Sequence, residues 1–263
     1  MKREEKVIRT SHISDEVLRE KLFRILDLAE KVQHTYRALH TEFLTPYEQK
    51  QAEGILAGLN SVSYRFLGGV EEAERKIGYL YPDYEEDEGQ DFLSCLKIVG
   101  NFNFRKVSHR DYLGSILSLG IRREAIGDIF VGEDATYIIC LKTMEEYIRL
   151  NLDKVANIGV KVKNVMWDEV SIPKPDLKEH TFVASSQRLD AIVAGMFKLS
   201  RSDAQKLISS ERVQADYRIV TNPSKQIEAP CVISVKGYGK GRFEQAVGRT
   251  KKDRLRLKAL MYR

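Results

Sequence analysis

The chain has 263 residues, enough for two domains or for one domain with an appended module, and its 43% hydrophobic and 31% charged residues are typical of a globular protein. No stretch approaches the roughly 18 apolar residues of a membrane span, and residues 1–6 are not followed by the apolar core of a signal peptide, so we expect a cytoplasmic protein with no membrane partner. From Thr181 onward 17 Lys and Arg face 7 Asp and Glu, a net +10 within a total of +5, which indicates a module that binds a polyanion such as nucleic acid.

Residues 1–84 are predicted to form an N-terminal, mainly helical region. Apolar residues recur at helical spacing after Ser14, at Val17, Leu18, Leu22, Ile25, Leu26 and Ala29. Thr45-Pro46-Tyr47-Glu48 has the pattern of a capping box with proline at the first helical position. A further charged helix is expected around residues 71–76, after Gly68-Gly69. The acidic run 85–89 is typical of a solvated linker and marks the first domain boundary.

Residues 85–175 are predicted to form a middle domain in which strands and helices alternate. Strands are expected at 92–99, 125–131, 135–141 and 160–165, with a turn at 132–134. One helix begins at Ser108-His109-Arg110-Asp111 and stops at Gly120, and a second runs from Thr143 to about Ala156. The order βαββαβ is that of a ferredoxin-like sheet. The two prolines of residues 171–175 mark a second linker.

Residues 181–263 are predicted to form a small α/β domain, which makes the whole chain α+β. Helices are expected from 187 to 197 and from the capping box at Ser200. Short strands at 213–215, 217–220 and 232–235 follow, with a turn at Asn222-Pro223-Ser224. A glycine-rich basic loop is expected at 236–242.

This last segment resembles the RNA-binding domain named after ribosomal small-subunit protein S-four. The resemblance rests on Arg188-Leu189-Asp190, Leu199-Ser200-Arg201-Ser202-Asp203-Ala204, Leu207-Ile208, Val213 and Ile233-Ser234-Val235. The sequence departs from that pattern at Glu211, where glycine is usual, and at Ala229-Pro230-Cys231, which replaces a usual Gly-Asp. Both departures concern turns rather than the binding surface.

Motifs ahead of this segment are similar to those of the YlmH family of Gram-positive bacteria. They are Phe43-Leu44-Thr45-Pro46, Gly68-Gly69 with Ala73-Glu74-Arg75, Ser108 to Gly114, and Gly127-Asp128-Ile129. The resemblance spans nearly the whole chain. It implies a middle domain that also contacts RNA, and work on the large ribosomal subunit carrying a stalled peptidyl-tRNA, in ribosome-associated quality control. It also implies rRNA and tRNA as partners and an association with cell division.

Cations and hydrogen-bond donors gather where the two C-terminal helices meet. The start of the second helix offers free backbone N–H groups and a partial positive charge, to which Arg201 and Lys206 add full charges. The loop at 236–242 could follow an RNA backbone closely, and Tyr238 could stack on a base. The candidate RNA-binding residues are Arg188, Lys198, Ser200, Arg201, Ser202, Gln205, Lys206, Arg212, Lys236, Tyr238, Lys240 and Arg242. A second possible contact is Ser108, His109 and Arg110.

Structural roles compete with several of these assignments. Arg188 could form an ion pair with Asp190 or Asp203, and Tyr238 could cover a sheet edge. The basic run 251–258 could be a solvated helix face or an extension of the RNA surface. The first turn after Ser108 could simply be exposed.

No catalytic site, metal site or cofactor is predicted. His109-Arg110-Asp111 imitates a protein-kinase loop, but no Asn follows at the required spacing. Arg188-Leu189-Asp190 echoes the catalytic triplet of RNA pseudouridine synthases, yet it lies inside the S-four-type segment. The alternatives left open are an RNA-modifying enzyme and a cell-division protein acting through its acidic N-terminal half. Cys95, Cys140 and Cys231 lie far apart in apolar runs, which predicts buried thiols without disulfides. We expect a monomer.

Overall fold

The structure is a computed structural model that describes residues 3–84, 90–102, 107–132, 135–173 and 177–262. The chain divides into two compact units, 1–173 and 174–263. The predicted acidic linker 85–89, two residues of the predicted turn at 132–134 and part of the predicted linker at 171–175 lie outside the described residues.

The first unit begins with helices packed on a small sheet. The helices are α1 (Arg3–Thr10), α2 (Glu16–Thr35) and α3 (Pro46–Leu56), and the antiparallel strands β1 (Leu39–Leu44), β2 (Val62–Leu67) and β3 (Lys76–Pro82) lie in the order β1-β3-β2. The predicted helices α2 and α3 are confirmed, including the capping box between Thr45 and Glu48. The apolar face of α2 is buried as expected, except that Val17 is exposed.

The three strands were not predicted, and the expected charged helix at 71–76 was wrong. Residues 70–75 form turns that lead directly into β3. Hydrogen bonds from Arg75 to distant parts of the chain fix the backbone where these turns meet β3. The guanidinium of Arg75 donates to the carbonyl oxygens of Phe43 (3.1 Å) and Ile126 (3.2 Å), and its backbone N–H donates to Asp128 Oδ2 (2.8 Å). A local pattern of charges carries no information about such distant partners.

The middle of the chain is ferredoxin-like, as predicted. Its elements are β4 (Leu93–Gly100), α4 (His109–Leu117), β5 (Ile126–Val131), β6 (Thr136–Leu141), α5 (Glu145–Asn151), β7 (Lys154–Val155) and β8 (Ile158–Val165). The antiparallel sheet has the order β5-β6-β4-β8-β7. Helix α5 ends five residues before the predicted Ala156, because Ala156 and Asn157 have φ of 50° and 68° and turn the chain between β7 and β8.

Three of the motifs that carry the family resemblance meet where β1 packs against the middle sheet, namely those that contain Phe43, Arg75 and Gly127. Gly127 lies against the buried ring of Phe43, and a Cβ atom at this glycine would stand 2.7 Å from the ring atom Cε1. The hydrogen bonds of Arg75 join the same two segments. These motifs therefore build the junction between the helical region and the middle sheet.

The second unit is one six-stranded antiparallel sheet with two helices on one face. Its elements are β9 (Leu177–Ala184), α6 (Leu189–Phe197), α7 (Arg201–Ser209), β10 (Val213–Ala215), β11 (Arg218–Ile219), β12 (Cys231–Val235), β13 (Gly239–Arg249) and β14 (Leu255–Tyr262). The sheet order is β11-β10-β12-β13-β14-β9. Both predicted helices and the three predicted short strands are present within one or two residues of their expected bounds.

One expectation for this unit was wrong, and one of two alternatives for residues 251–258 is excluded. The predicted loop 236–242 is only a short turn, because Lys240 and Arg242 already belong to β13. The run 251–258 is not a helix face: it is a turn followed by β14, where Leu257 and Ala259 are buried at the two-residue spacing of a strand.

The cysteines behave as expected. Cys95, Cys140 and Cys231 are buried and unpaired, and burial raises the pKa of each thiol to about 12. In the part of the chain that the structure describes, no helix is both long and apolar enough to cross a membrane.

Candidate nucleic-acid interface

The corner between α6 and α7 is produced by local capping. Lys198 takes a left-handed conformation (φ 55°) and ends α6, and Ser200 then caps α7 by accepting a hydrogen bond from the backbone N–H of Asp203 (3.0 Å). Only three residues separate the helices, so the last turn of α6 lies directly beside the first turn of α7. The side chains at this corner are thus fixed by short-range structure.

A buried carboxylate organises the corner. The side chain of Asp190 has no exposed surface, although it belongs to a helix that is otherwise apolar. Its Oδ2 atom accepts hydrogen bonds from Arg201 Nη2 and Gln205 Nε2, each at 2.8 Å. Arg188 donates to both carboxylate oxygens, at 3.3 and 3.4 Å. One carboxylate on α6 therefore holds two residues of α7 and the residue that precedes α6.

The charge state of Asp190 follows from these contacts. Burial disfavours the charged carboxylate, but hydrogen bonds from Gln205, Arg201 and Arg188 outweigh that effect and lower the pKa of Asp190 to about 2. The group is consequently ionised at neutral pH and acts as a fixed counter-ion for the two arginines.

The sequence predicted that Arg188 could pair with Asp190 or Asp203, and the structure selects Asp190. The sequence did not predict that Arg201 and Gln205 donate to the same carboxylate. The available signal was a single carboxylate in an otherwise apolar helix, since buried charges are expected to be paired.

The arginines at the corner keep donors for a ligand. Their side chains remain 35% (Arg188) and 48% (Arg201) exposed, and each guanidinium has five N–H donors, so neither is consumed by Asp190. Lys198 and Lys206 are exposed, and within the described residues neither forms an ion pair. The corner therefore presents four cations, two held in place and two free to move.

The start of α7 is a weaker anion site than the sequence indicated. The hydroxyl of Ser200 donates to Asp203 Oδ2 (2.6 Å) and lies 2.8 Å from the hydroxyl of Ser202. The Asp203 carboxylate thus occupies the first turn and offsets part of its positive charge. The cations at the corner, rather than the backbone N–H groups, give this surface its charge.

Three other candidates lie beyond the opposite end of α7. The backbones of Arg212 and Lys236 are joined, because Lys236 N donates to Arg212 O (2.8 Å), and Arg212 Nη2 donates to Lys236 O (2.9 Å). Tyr238 is half-exposed in the adjoining turn. A nine-residue helix is about 13 Å long, so this group is separate from Arg201.

The last two candidates are on the other face of the sheet. Gly241 faces α6, since a Cβ atom there would stand 2.7 Å from Met196 Cε, and neighbouring residues in a strand point the opposite way. Lys240 and Arg242 therefore point away from the helices. The Lys240 ammonium lies 5.1 and 5.0 Å from the ring centroids of Tyr217 and Tyr262, and Arg242 pairs with Glu244. The candidate RNA-binding residues of this unit therefore lie in three groups.

The second predicted contact is an exposed helix start. Ser108, His109 and Arg110 are exposed at the beginning of α4. Asp111 Oδ2 accepts hydrogen bonds from Ser108 N (2.9 Å) and Ser108 Oγ (2.6 Å), so a carboxylate again occupies the first turn.

Comparison with known proteins agrees with this organisation. Three family models match in series: "YlmH, N-terminal" at residues 17–84, "Putative RNA-binding domain in YlmH" at 88–169 and "S4 domain" at 187–230. The "Ribosome-associated protein quality control protein P2" of Bacillus subtilis (strain 168) is 31% identical over 227 residues, which cover 86% of this chain and 88% of that protein. The chain belongs to the YlmH family.

A solved structure supports the same assignment. The "Cell division protein ylmH from Streptococcus pneumoniae" is 26% identical, with a TM-score of 0.50 over 60% of this chain and 96% of that one. In this YlmH-family chain the S4 match contains α6, α7, β10 and β11, and hence the corner built around Asp190. Strands β9, β12, β13 and β14 lie outside the match.

Proposed function

We propose that this YlmH-family chain is a non-catalytic, monomeric, cytoplasmic factor that binds rRNA and tRNA on the large ribosomal subunit during quality control of stalled nascent chains. The observation that carries the proposal is the network in which Asp190 fixes Arg188 and Arg201 at an exposed corner of the S4 domain. The name of the Bacillus subtilis relative supports the ribosomal setting.

The geometry suits structured RNA. RNA helices are recognised through their shape, phosphates and 2′-hydroxyls, because their deep major groove excludes side chains. A guanidinium binds phosphate through two parallel hydrogen bonds, and this geometry requires the group to be held at a defined angle. Since Asp190 already holds Arg188 and Arg201, less side-chain entropy is lost when RNA binds. Lys198 and Lys206 can then adapt to the neighbouring phosphates.

The same network argues against a catalytic Asp190. A carboxylate that attacks a nucleobase must reach its substrate. Asp190 is fully buried, and Arg201, Gln205 and Arg188 donate to its oxygens. Its resemblance to the triplet of pseudouridine synthases is therefore explained by a structural role.

Co-sedimentation with purified ribosomal subunits tests this proposal. Lys198→Glu/Lys206→Glu reverses two exposed charges without touching Asp190, and Lys31→Glu/Lys50→Glu makes the same change in net charge on α2 and α3. We expect the unmodified chain and the control to sediment with the large subunit at low salt and to dissociate as salt is raised. The corner variant should dissociate at lower salt. Equal behaviour of the two variants, or sedimentation with neither subunit, would contradict the proposal.

A further inference from the structure

The sheet of the middle domain has a face that α4 and α5 do not cover. Leu96, Ile98 and Ile138 point into the core beneath these helices. Directly opposed residues of an antiparallel pair point to the same side of a sheet, and neighbours along a strand alternate. Lys97, which follows Leu96, therefore points to the open side.

The register brings further lysines to that side. Lys163 lies directly opposite Lys97, and Lys161 lies opposite Val99. Lys154, on the edge strand β7, lies opposite Gly159. Gly159, Lys161 and Lys163 are two residues apart along β8 and are therefore on the same side of the sheet, which places Lys154 on that side as well. We call Lys97, Lys154, Lys161 and Lys163 the lysine face.

The lysine face has no carboxylate partner within the described part of the protein. Among the residues that the structure describes, none of the four ammonium groups forms an ion pair. Like charges directly opposite one another destabilise an antiparallel pair, as Lys97 and Lys163 do here. An external polyanion would turn that repulsion into a favourable interaction.

The covered part of the same side restricts what can bind. Cys95 and Tyr137 are buried under Trp167 and Val170, so the Tyr137 ring is not available for stacking on a base. The open part, formed by β4 and β8, offers ammonium groups around Val99. Such a surface recognises negative charge without reading base identity.

We propose that the lysine face binds the phosphate backbone of RNA, so that the chain holds RNA with one surface in each of its two units. This inference rests on the proposed function, because it takes RNA as the polyanion. The lysine face lies within residues 88–169, which match the YlmH RNA-binding model. Lys154, Lys161 and Lys163 are exposed, and Lys97 is partly buried with its ammonium 5.7 Å from the Tyr137 ring centroid.

The test measures how salt affects binding of a fluorescein-labelled RNA hairpin of mixed sequence to the full chain. The face variant is Lys154→Gln/Lys161→Gln/Lys163→Gln. The control, Lys31→Gln/Arg37→Gln/Lys50→Gln, removes the same number of exposed charges from the N-terminal region. If three phosphate contacts are lost, the slope of log K against log salt should fall by about 2 in the face variant. The control should keep the slope of the unmodified chain.

Two further variants separate contact from folding and from the corner. Lys161→Arg/Lys163→Arg keeps the charges and should keep the slope. Glutamine at position 163 relieves repulsion with Lys97, so the face variant should melt no lower than the unmodified chain. The corner variant Lys198→Glu/Lys206→Glu should lower the slope independently of the face variant.

The outcomes distinguish the two proposals. A face variant with an unchanged slope, beside a corner variant with a reduced one, would overturn the lysine face and leave the proposed function standing. An unchanged RNA slope together with lost binding to phosphatidylglycerol vesicles would also overturn it, in favour of a membrane surface. No RNA binding by the unmodified chain would overturn both proposals.

Discussion

The Nη2 atom of Arg201 lies 2.8 Å from Oδ2 of Asp190, so the first residue of α7 is tied to the second residue of α6. Arg201 is half-exposed while Asp190 is fully buried. The buried partner thus supports the exposed one, and both the stability of the corner and the orientation of its cations depend on one carboxylate.

Asp190→Asn should loosen this corner without changing its shape. The lowering of the pKa of Asp190 from 3.8 to about 2 corresponds to roughly 2 kcal/mol of stabilisation, which a neutral side chain forfeits. Hydrogen exchange followed by mass spectrometry should therefore show about 30-fold less protection in peptides from α6 and α7. RNA affinity should fall with it, because Arg188 and Arg201 lose their fixed orientation.

Asp203→Asn is the matched control for that change. Asp203 is exposed and lies within the same corner, but its carboxylate accepts a hydrogen bond from the cap residue Ser200 and forms no ion pair with the arginines within the described residues. Its replacement should have a smaller effect on exchange in α6. If Asp190→Asn leaves both exchange and RNA affinity unchanged, the carboxylate does not organise the corner.

The contribution of Asp190 should disappear in acid. A carboxyl whose pKa is lower in the folded than in the unfolded chain stabilises the fold above its ordinary pKa of 3.8, and this stabilisation is lost as pH falls toward about 2. The stability difference between the unmodified chain and Asp190→Asn should thus be constant from pH 7 to about pH 5 and shrink toward zero near pH 2.

Calorimetry can measure this loss of stability as a shift in the unfolding transition of the second unit. Trp167, the single tryptophan, lies in the first unit. A calorimetric transition at which the fluorescence of Trp167 does not change is therefore assigned to the second unit. A difference between the two proteins that persists undiminished at pH 2 would assign the effect to something other than ionisation of Asp190.

Two cations at the corner should respond differently to neutralisation. Lys206→Gln removes a charge that forms no ion pair within the described residues, so it should lower the salt slope of RNA binding by about 0.7–0.9 with little change in stability. Arg201→Gln removes a similar charge and also a hydrogen bond to Asp190, so it should lower both the slope and the stability. Fluorescence titration at several salt concentrations measures the slopes. If both variants lowered the melting temperature equally, the Arg201–Asp190 contact would not contribute to stability.

The parts of the site that sequence reasoning located are those set by neighbours in the chain. Ser200 caps α7 through Asp203, three residues away, and the apolar spacing of α6 and α7 is equally local. The ferredoxin-like order was also accessible, because its helices and strands alternate in sequence. Asp190 was visible as an isolated carboxylate, but its partner Arg201 depends on how the two helices pack.

The sequence did not predict the side-chain directions and contacts that depend on strand register. The pairing of β12 with β13 decides that Lys240 and Arg242 point away from α6, and a shift by one residue would reverse this. The opposition of Lys97 and Lys163 likewise depends on the pairing of two residues more than 60 positions apart in the sequence. A lysine that alternates with valine in sequence is typical of any solvated strand, so only the register shows that two such strands bring their charges together.

Gly127→Ala should destabilise the first unit by filling space that Phe43 already occupies. The new Cβ atom would stand 2.7 and 2.9 Å from two atoms of the Phe43 ring and 3.2 Å from a backbone oxygen of Ile139, and the ring is fully buried and cannot swing aside. Overpacking of this kind costs about 1–3 kcal/mol. Urea unfolding followed by Trp167 fluorescence should show a lower midpoint.

Gly114→Ala in α4 is the control, since nothing lies within 4 Å of its added methyl group and alanine favours a helix by about 0.5–1 kcal/mol. Because the two substitutions add the same methyl group, a midpoint lowered equally by both would mean that the Phe43–Gly127 contact is not what joins β1 to the middle sheet.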